Sequence, residues 1–192
     1  MRRLLISTLV IILCAWAAAP AQAQGAFTVE VRGGVNTPTE TFVDTDLERG
    51  VGLEGTVAFR VMPAVSVYGG WDWQRRSVED RLFGAEGRLI DTGYVFGVKL
   101  TPGTSRFAPW LRAGALYNHV ELEDANGNAI ADTERVWGWE AGAGIDVPIG
   151  GSLRLTPGVR YRRFAPMLQL GSAAFESTLA YLVLDVGLAV RF

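Results

Sequence analysis

The sequence predicts an all-β fold in which eight antiparallel strands close into an up-and-down barrel. Apolar and polar residues alternate with a period of two in eight separate runs, the connections between the runs are alternately short and long, and aromatic residues gather at the ends of the runs. Alternation with a period of two is typical of a strand whose two faces meet different surroundings. Helical periodicity is almost absent.

The first residues of the chain predict that the protein is secreted across the inner membrane. Arg2 and Arg3 precede an apolar run that ends near residue 19, and the small-residue sequence Ala-Gln-Ala follows at 21–23. This is typical of a secretory signal peptide, because the run is short and lacks the charged stop of a membrane anchor. We therefore expect residues 1–23 to be removed and residues 24–192 to form one barrel domain. Cys14, the only cysteine, would be removed with the signal.

Composition limits the partners and the means of crossing a membrane. Without Arg2 and Arg3, the 18 basic residues become 16, against 20 acidic residues, and Lys99 is the only lysine. This mild acidity argues against nucleic acid as a partner. No later stretch has the roughly 20 consecutive apolar residues of a spanning helix, so any crossing must use strands.

The eight runs and their connections follow a regular order along the chain. The runs cover residues 27–36, 51–61, 65–75, 90–101, 109–120, 136–147, 153–163 and 179–192. Each has about the length of a tilted membrane-spanning strand. Short connections rich in proline or glycine lie at 62–64, 102–107 and 148–152, and long polar ones at 37–50, 77–89, 121–135 and 164–178. Short periplasmic turns and long extracellular loops are typical of a transmembrane β-barrel.

Two closed structures could use strands with one apolar and one charged face. In the sixth run, Trp137, Trp139 and Ile145 share the apolar face, and Glu140 and Asp146 lie on the other. A soluble lipocalin-like barrel would turn the apolar face inward around a ligand. A membrane barrel turns it outward to lipid, with the charged face inside. The distribution of aromatic residues, glycine and charge favours the membrane barrel.

Aromatic residues sort by position along the strands. At the short-turn ends the apolar face carries Phe27, Phe59 and Phe192, whereas the ends next to the long connections carry tryptophan and tyrosine. These amphipathic rings are enriched at membrane interfaces, where their polar atoms reach the headgroups. The predicted aromatic girdle consists of Trp71, Trp73, Tyr94, Tyr117, Trp137, Trp139 and Tyr161.

The charged face is rich in glycine and nearly balanced in charge. Glycine leaves room for long side chains inside a narrow lumen, but on a solvated surface it would only weaken the strands. Seven acidic and eight basic residues on this face can pair almost completely, which matters because an unpaired ion in a lumen of low dielectric constant costs several kcal/mol. The predicted lumen network is Glu30, Arg32, Glu54, Asp72, Lys99, Arg112, Glu140, Arg160 and Asp185, in which Asp185 is expected near Arg160 and Arg32.

The mature chain resembles the OmpA/OmpX-type eight-stranded outer-membrane barrels over its whole length. The resemblance rests on the signal peptide, the eight runs, the alternating connections, the segment PWLRAGALY at 109–117 and the terminal strand LDVGLAVRF ending at Phe192. It implies a location in the cell outer membrane. It also implies that the strand ending at Phe192 is the signal read by the barrel-assembly machinery.

Residues with catalytic chemistry are scarce. His119 is the only histidine, and Glu121 stands where the lipid A deacylases keep a serine two residues after their histidine. A general base without a nucleophile has nothing to activate. We therefore expect no enzyme activity, no cofactor and no metal site, and we interpret the acidic clusters of the long connections as solvated charge.

The leading functional expectation is a structural scaffold or surface-interaction protein whose extracellular loops make the contacts while charged side chains block the lumen. The alternative is a small porin-like channel, although the interior of an eight-stranded barrel is just filled by side chains. A lipid A-modifying enzyme ranks third. The expected partners are outer-membrane lipids and lipopolysaccharide, the barrel-assembly machinery and an unknown surface ligand, and the protein is expected to be a monomer.

Overall fold

The computed structural model describes residues 25–39, 47–79, 86–102, 107–123, 129–165, 167–170, 173–176 and 178–192. Within these ranges, every regular secondary-structure element is a β-strand. The predicted signal peptide, residues 1–23, lies outside the described residues, as do parts of the long connections. No helix among the described residues is long and apolar enough to cross a membrane.

The described chain contains eight long strands and three short ones. The long strands are β1 (Phe27–Pro38), β2 (Leu47–Met62), β3 (Val65–Glu79), β4 (Glu86–Leu100), β5 (Ala108–Glu123), β7 (Val136–Gly150), β8 (Leu153–Phe164) and β11 (Leu179–Arg191). The short strands are β6 (Ala129–Asp132), β9 (Met167–Leu170) and β10 (Ala173–Glu176).

The long strands pair in antiparallel fashion and form one closed sheet. Their order is β4-β3-β2-β1-β11-β8-β7-β5, and a further pairing of β4 with β5 closes the barrel. At the seam, β1 pairs with β11 from Thr28 opposite Arg191 to Pro38 opposite Tyr181. Closure leaves no open edge of unpaired backbone groups toward lipid. The predicted eight-stranded up-and-down barrel is confirmed.

Several strands extend further toward the long connections than the sequence predicted. β3 continues to Glu79 and β4 begins at Glu86, and these two residues are opposite each other. The prediction ended the third run at residue 75 and began the fourth at residue 90, because side-chain alternation weakens there. Backbone pairing does not require alternating side chains, so it continues past that point. The strands β6, β9 and β10 also lie in segments predicted as loops.

Two short connections are tight turns, as predicted. Pro63 and Ala64 join β2 to β3, and Gly151 and Ser152 join β7 to β8. Gly151 has φ of 51°, a left-handed conformation that glycine adopts without steric cost. The third short connection, between β4 and β5, includes residues 103–106, which lie outside the described part of the chain.

The strands turn their apolar face outward and their charged face inward. Leu184 and Trp137 are 60% and 63% exposed, whereas Glu54 and Arg162 are 2% and 0% exposed. A soluble barrel would show the reverse, because its apolar face would line the interior. The lipocalin-like alternative is therefore wrong for this chain.

Candidate functional site: the barrel interior and its outer face

Four charged residues from four strands meet inside the barrel and form what we call the central network. Arg112 on β5 donates from Nη1 to Glu54 Oε1 on β2 at 2.9 Å and from Nε to Glu140 Oε1 on β7 at 2.8 Å. Arg160 on β8 donates to the second oxygen of both carboxylates. Two strands separate β2 from β5, and two separate it from β8. The two contacts of Glu54 therefore cross the lumen, whereas Glu140 binds arginines on the two strands next to its own, and all four side chains are buried.

Asp185 on β11 extends the central network to the barrel seam. Its Oδ2 accepts a hydrogen bond from Arg160 Nε at 2.6 Å, and its Oδ1 accepts one from Arg32 Nη1 at 2.5 Å. Arg32 Nη2 also donates to Thr156 Oγ1 at 3.1 Å, and that hydroxyl donates to Glu30 Oε1 at 2.5 Å. Asp185 thus has arginines on both neighbouring strands, at the positions the sequence indicated.

A second polar layer lies nearer the long connections. Arg162 Nη1 donates to Asp72 Oδ2 at 2.5 Å, and the Tyr181 hydroxyl donates to Asp91 Oδ2 at 2.8 Å. The Arg76 guanidinium lies 3.9 Å from the centre of the Tyr181 ring, a cation–π arrangement. Arg76 was not among the predicted lumen residues, because the third predicted run ends one residue earlier, at residue 75.

A third layer lies toward the short turns. Lys99 Nζ lies 3.4 Å from Glu30 Oε2 and 3.3 Å from Asp146 Oδ1. Below the central network, the Trp110 ring is buried, with Arg32 at 4.7 Å and Lys99 at 5.1 Å from its centre. The ring therefore fills the lumen with apolar volume while its faces attract two cations.

Glycine on two strands makes room for Trp110. A Cβ atom built on Gly144 would lie 2.4 Å from Trp110 Cζ2, and one built on Gly158 would lie 2.3 Å from the same atom. Real Cβ atoms do not approach so closely, so any side chain at either position would displace the indole. These two positions are an example of the predicted effect, in which inward-facing glycine leaves room for a larger side chain in the lumen.

Apolar residues also occupy the charged face, which the sequence analysis did not predict. Val95 and Leu116 lie opposite each other on β4 and β5, and both are almost fully buried. They belong to a buried apolar cluster that includes Tyr181 of the second polar layer. Its members are Tyr68, Leu89, Val95, Leu116, Val120, Phe164, Leu179, Tyr181 and Val183. The signal was available in the parity of these residues, which is that of the charged positions.

The predicted girdle residues occupy the outward face of neighbouring strands. Trp71 is opposite Tyr94, Tyr94 is opposite Tyr117, and Tyr117 is opposite Trp137, so one band crosses four strands. The band continues through Trp139, whose ring centre lies 5.4 Å from that of Tyr161 on β8. Trp73 shares the outward parity of Trp71 on β3.

The short-turn end of the outward face carries phenylalanine. The rings of Phe27 and Phe59 lie 5.0 Å apart. Phe192 extends the pairing of the terminal strand with β1, because its N–H donates to Phe27 O at 2.8 Å and its carbonyl oxygen accepts from Gly25 N at 2.5 Å. Phe192 is thus held at the base of the barrel seam.

His119 lies on the outward parity of β5, half-buried beside the strand that follows. Its Nδ1 is 2.7 Å from the carbonyl oxygen of Thr133, so that ring nitrogen donates the hydrogen bond. Among the described residues, no group of three or more His, Cys, Asp or Glu side chains is arranged to hold a metal ion.

Comparison with protein families gives the chain its class. The family model described as outer membrane protein beta-barrel domain matches residues 6–192. The chain belongs to this family. The protein is therefore an outer-membrane β-barrel, and the resemblance to OmpA/OmpX-type barrels is confirmed. Among curated protein sequences, none matches the chain significantly.

Solved structures of outer-membrane barrels show the same fold. Neisserial surface protein A is 16% identical, with coverage of 86% of this chain and 97% of that one and a TM-score of 0.63. Outer membrane protein W of E. coli is 15% identical, with coverage of 90% and 100% and a TM-score of 0.58. OprG of Pseudomonas aeruginosa is 14% identical, with coverage of 90% and 99% and a TM-score of 0.56.

The outer-membrane location explains why this family member exposes so much apolar surface. Leu184, Val186 and Leu188 on β11 are each about half exposed or more. In water such a band would drive association, but in a bilayer it contacts acyl chains. The tryptophan and tyrosine band lies near the strand ends that adjoin the long connections, where Arg135 is 5.3 Å from the centre of the Tyr94 ring.

Proposed function

We propose that this outer-membrane barrel is a closed structural scaffold that presents its long connections at the cell surface for contact with lipopolysaccharide or another surface ligand. The observation that carries the proposal is the central network. Glu54 accepts hydrogen bonds from Arg112 on one side and Arg160 on the other, and these side chains bridge the lumen. A solute could pass only if buried ion pairs separated, which is costly in a medium of low dielectric constant.

The layers on both sides of the central network support a closed interior. Trp110 is 1% exposed on the short-turn side, and Val95 and Leu116 are 1% and 0% exposed toward the long connections. An eight-stranded barrel has an interior that side chains just fill. The scaffold would thus be rigid, as suits a protein whose contacts are made by loops.

Single-channel recording in planar bilayers tests the closed lumen. The purified protein should insert and show no stable openings, with insertion verified by β-sheet circular dichroism and by the gel mobility of the unheated protein. The double variant Glu54→Ala with Arg112→Ala removes one cross-lumen pair without leaving either charge alone, and it should give the first measurable conductance. Stable openings of the unaltered protein would reject the scaffold in favour of a channel.

One observation favours the channel as the second candidate. Several buried polar atoms of the second polar layer have no hydrogen-bond partner within the protein, including Arg76 Nη1, Arg162 Nη2 and Asp72 Oδ1. Buried polar groups of this kind usually bind water. The outer half of the lumen would then be hydrated, with the central network as the barrier between it and the other end.

The surface role depends on the long connections. Each of the segments 40–46, 80–85 and 124–128 can be replaced by a Gly/Ser linker of equal length while the paired strands are retained. We expect at least one replacement to reduce binding to lipopolysaccharide or adhesion of cells. The protein would act without a cofactor and as a monomer, and it would reach the membrane through the barrel-assembly machinery.

Catalysis is not part of the proposed function. The His119 ring nitrogen is engaged by a backbone carbonyl, and the sequence places no serine two residues after this histidine. Mass spectrometry of lipid A from cells with and without the protein should show the same species. A new or missing acyl chain would make the protein an enzyme.

A further inference from the structure

A cluster of arginines surrounds a cavity at the short-turn end of the lumen. The cavity has a volume of about 160 Å³, and its lining includes Arg60 from β2, Arg154 from β8 and Arg191 from β11. Ser66 and Thr101 contribute hydroxyl groups to the same lining. None of these five residues takes part in the central network. We call this site the basal arginine cavity.

The basal arginine cavity has more positive than negative charge. Asp146 Oδ2 lies 4.0 Å from Arg154 Nε and 4.0 Å from Arg191 Nη2, and its other oxygen lies 3.3 Å from Lys99 Nζ. Asp146 is therefore shared by three cations, of which Lys99 also lies 3.4 Å from Glu30 Oε2. Within the described residues, no acidic group lies at ion-pair distance from Arg60, the fourth. This contrasts with the central network, where each arginine has carboxylates at hydrogen-bond distance.

Two hydrogen-bond donors of the arginines that line this cavity have no partner within the protein. Arg154 Nε and Arg191 Nε are buried atoms, and neither has a hydrogen-bond partner within the protein. Buried donors without partners are rare in proteins, and each calls for a water, an ion or a ligand. The cavity is much larger than a single water needs, so a small ion that keeps part of its hydration also fits.

We propose that the basal arginine cavity binds a phosphate-type oxyanion, either as a free ion or as part of a lipid headgroup. A tetrahedral oxyanion offers several acceptor oxygens, and the planar guanidinium group binds phosphate with paired, charge-assisted hydrogen bonds. Ser66 and Thr101 can donate from their hydroxyls to the remaining oxygens. The ion would also neutralise the excess charge that the single Asp146 leaves.

The proposal is independent of whether the central network conducts, because it concerns one end of the lumen only. Because the cavity lies at the short-turn end of the lumen, an anion would enter it from the compartment on that side. With the short turns on the periplasmic side, as is typical of transmembrane β-barrels, that compartment is the periplasm or the inner leaflet of the outer membrane.

Titration with inorganic phosphate tests the proposal. The full chain, processed as in cells, is purified in a maltoside detergent, which carries no phosphate, and the ionic strength is held constant with sodium chloride. NMR amide resonances of Ala64, Ser66 and Thr101 should shift and saturate with phosphate. Resonances at the opposite end of the barrel should not move. The absence of a saturable shift at millimolar phosphate would overturn the proposal.

Matched variants separate the site from general electrostatics. Arg60→Gln and Arg191→Gln each remove one cavity charge, and each should weaken phosphate binding by about tenfold, the effect of losing one charge-assisted hydrogen bond. Arg75→Gln is the control, because it makes the same charge change on the outward face near the other end. Arg60→Gln leaves no acid without a partner, so the variant should fold. Equal weakening by all three substitutions would refute a defined site.

Nanodiscs distinguish the two sources of phosphate. The titration is repeated in bilayers of phosphatidylcholine and in bilayers that contain phosphatidylglycerol, and both are compared with the phosphate-free maltoside micelles. If either bilayer weakens the binding of added phosphate relative to the micelles, the cavity holds a headgroup. If binding in both bilayers equals that in the micelles, it holds a soluble ion. Either result requires that Arg60→Gln weaken the competition or the binding by about the same tenfold factor, and a result insensitive to that substitution would contradict the proposal.

Discussion

Asp185 on β11 accepts a hydrogen bond from Arg32 on β1 at 2.5 Å, and both side chains are about 1% exposed. The two strands that close the barrel are therefore joined by a buried ion pair as well as by their backbones. Because the same carboxylate also accepts from Arg160 on β8, three adjacent strands are linked through one side chain. The seam is held together from inside the lumen.

The first prediction concerns this link. Asp185→Asn removes the negative charge shared by Arg32 and Arg160 and leaves two buried guanidinium groups less neutralised. Removing one partner of a buried pair typically costs about 3–5 kcal/mol, so the free energy of unfolding should fall by about that amount. Urea unfolding in lipid vesicles, followed by tryptophan fluorescence, measures it. Glu134→Gln, at an exposed position, is the control, and an equal effect of both would contradict the assignment.

The second prediction concerns the lipid-facing band. Leu184 lies at the middle of β11 and Met62 at the short-turn end of β2, and both are at least 60% exposed. Leu184→Arg should destabilise the inserted barrel by about 2–4 kcal/mol, and Met62→Arg by about 0–1 kcal/mol, because the cost falls from the midplane to the interface. The same vesicle unfolding assay gives both values. Similar costs at the two positions would mean that Leu184 does not lie closer to the membrane midplane than Met62.

The third prediction concerns the indole inside the lumen. Gly158→Ala forces Trp110 to move, because two indole atoms lie closest to the added Cβ, and Gly144→Ala crowds both the indole and the Pro157 carbonyl oxygen. Each should therefore lower the free energy of unfolding by about 1–3 kcal/mol, the usual cost of overpacking. Gly55→Ala is the matched control, because a Cβ at Gly55 has nothing within 4 Å. Near-ultraviolet circular dichroism should change in the first two variants only. Wild-type stability and spectra in both would show that the ring is not confined.

The fourth prediction concerns insertion in cells. If the terminal strand is read by the assembly machinery, Phe192→Ala should reduce the amount of folded protein in the outer membrane severalfold. Phe59→Ala removes an aromatic side chain at the same end of the barrel and should have little effect on assembly. The measurement is the ratio of folded to unfolded protein in unheated gels of membrane fractions. Equal losses would indicate that any basal aromatic residue serves.

Contacts between neighbouring strands were predictable, whereas contacts across the lumen were not. The position of Asp185 between Arg160 and Arg32 follows from counting residues up from the short turns, since antiparallel pairing preserves that count. The contact of Arg112 with Glu54 joins strands that are not neighbours, so it depends on the tilt and stagger of the whole barrel. Alternation within one run contains no information about that geometry.

The apolar residues inside the barrel were missed for a different reason, although they share the parity of the charged positions. A lipid-facing position must be apolar, so the outward face gives a strict pattern. An inward position need only fill space and satisfy its neighbours, so Val95, Leu116 and Val183 can follow the same parity as charged residues. The inward face therefore has no strict pattern of its own, and it is identified as the face opposite the strictly apolar one.

The pairing of β1 with β11 also has a consequence for how the protein is made. Arg32 and Asp185 are 153 positions apart in the chain, so the ribosome has synthesised nearly everything else before β1 can meet its partner. Until β11 is available, β1 lacks the neighbour that it has in the closed sheet, and an unpaired strand edge is prone to pair with other chains. We therefore expect the seam to form only after the terminal strand has been made, which leaves closure of the sheet as a late step of folding.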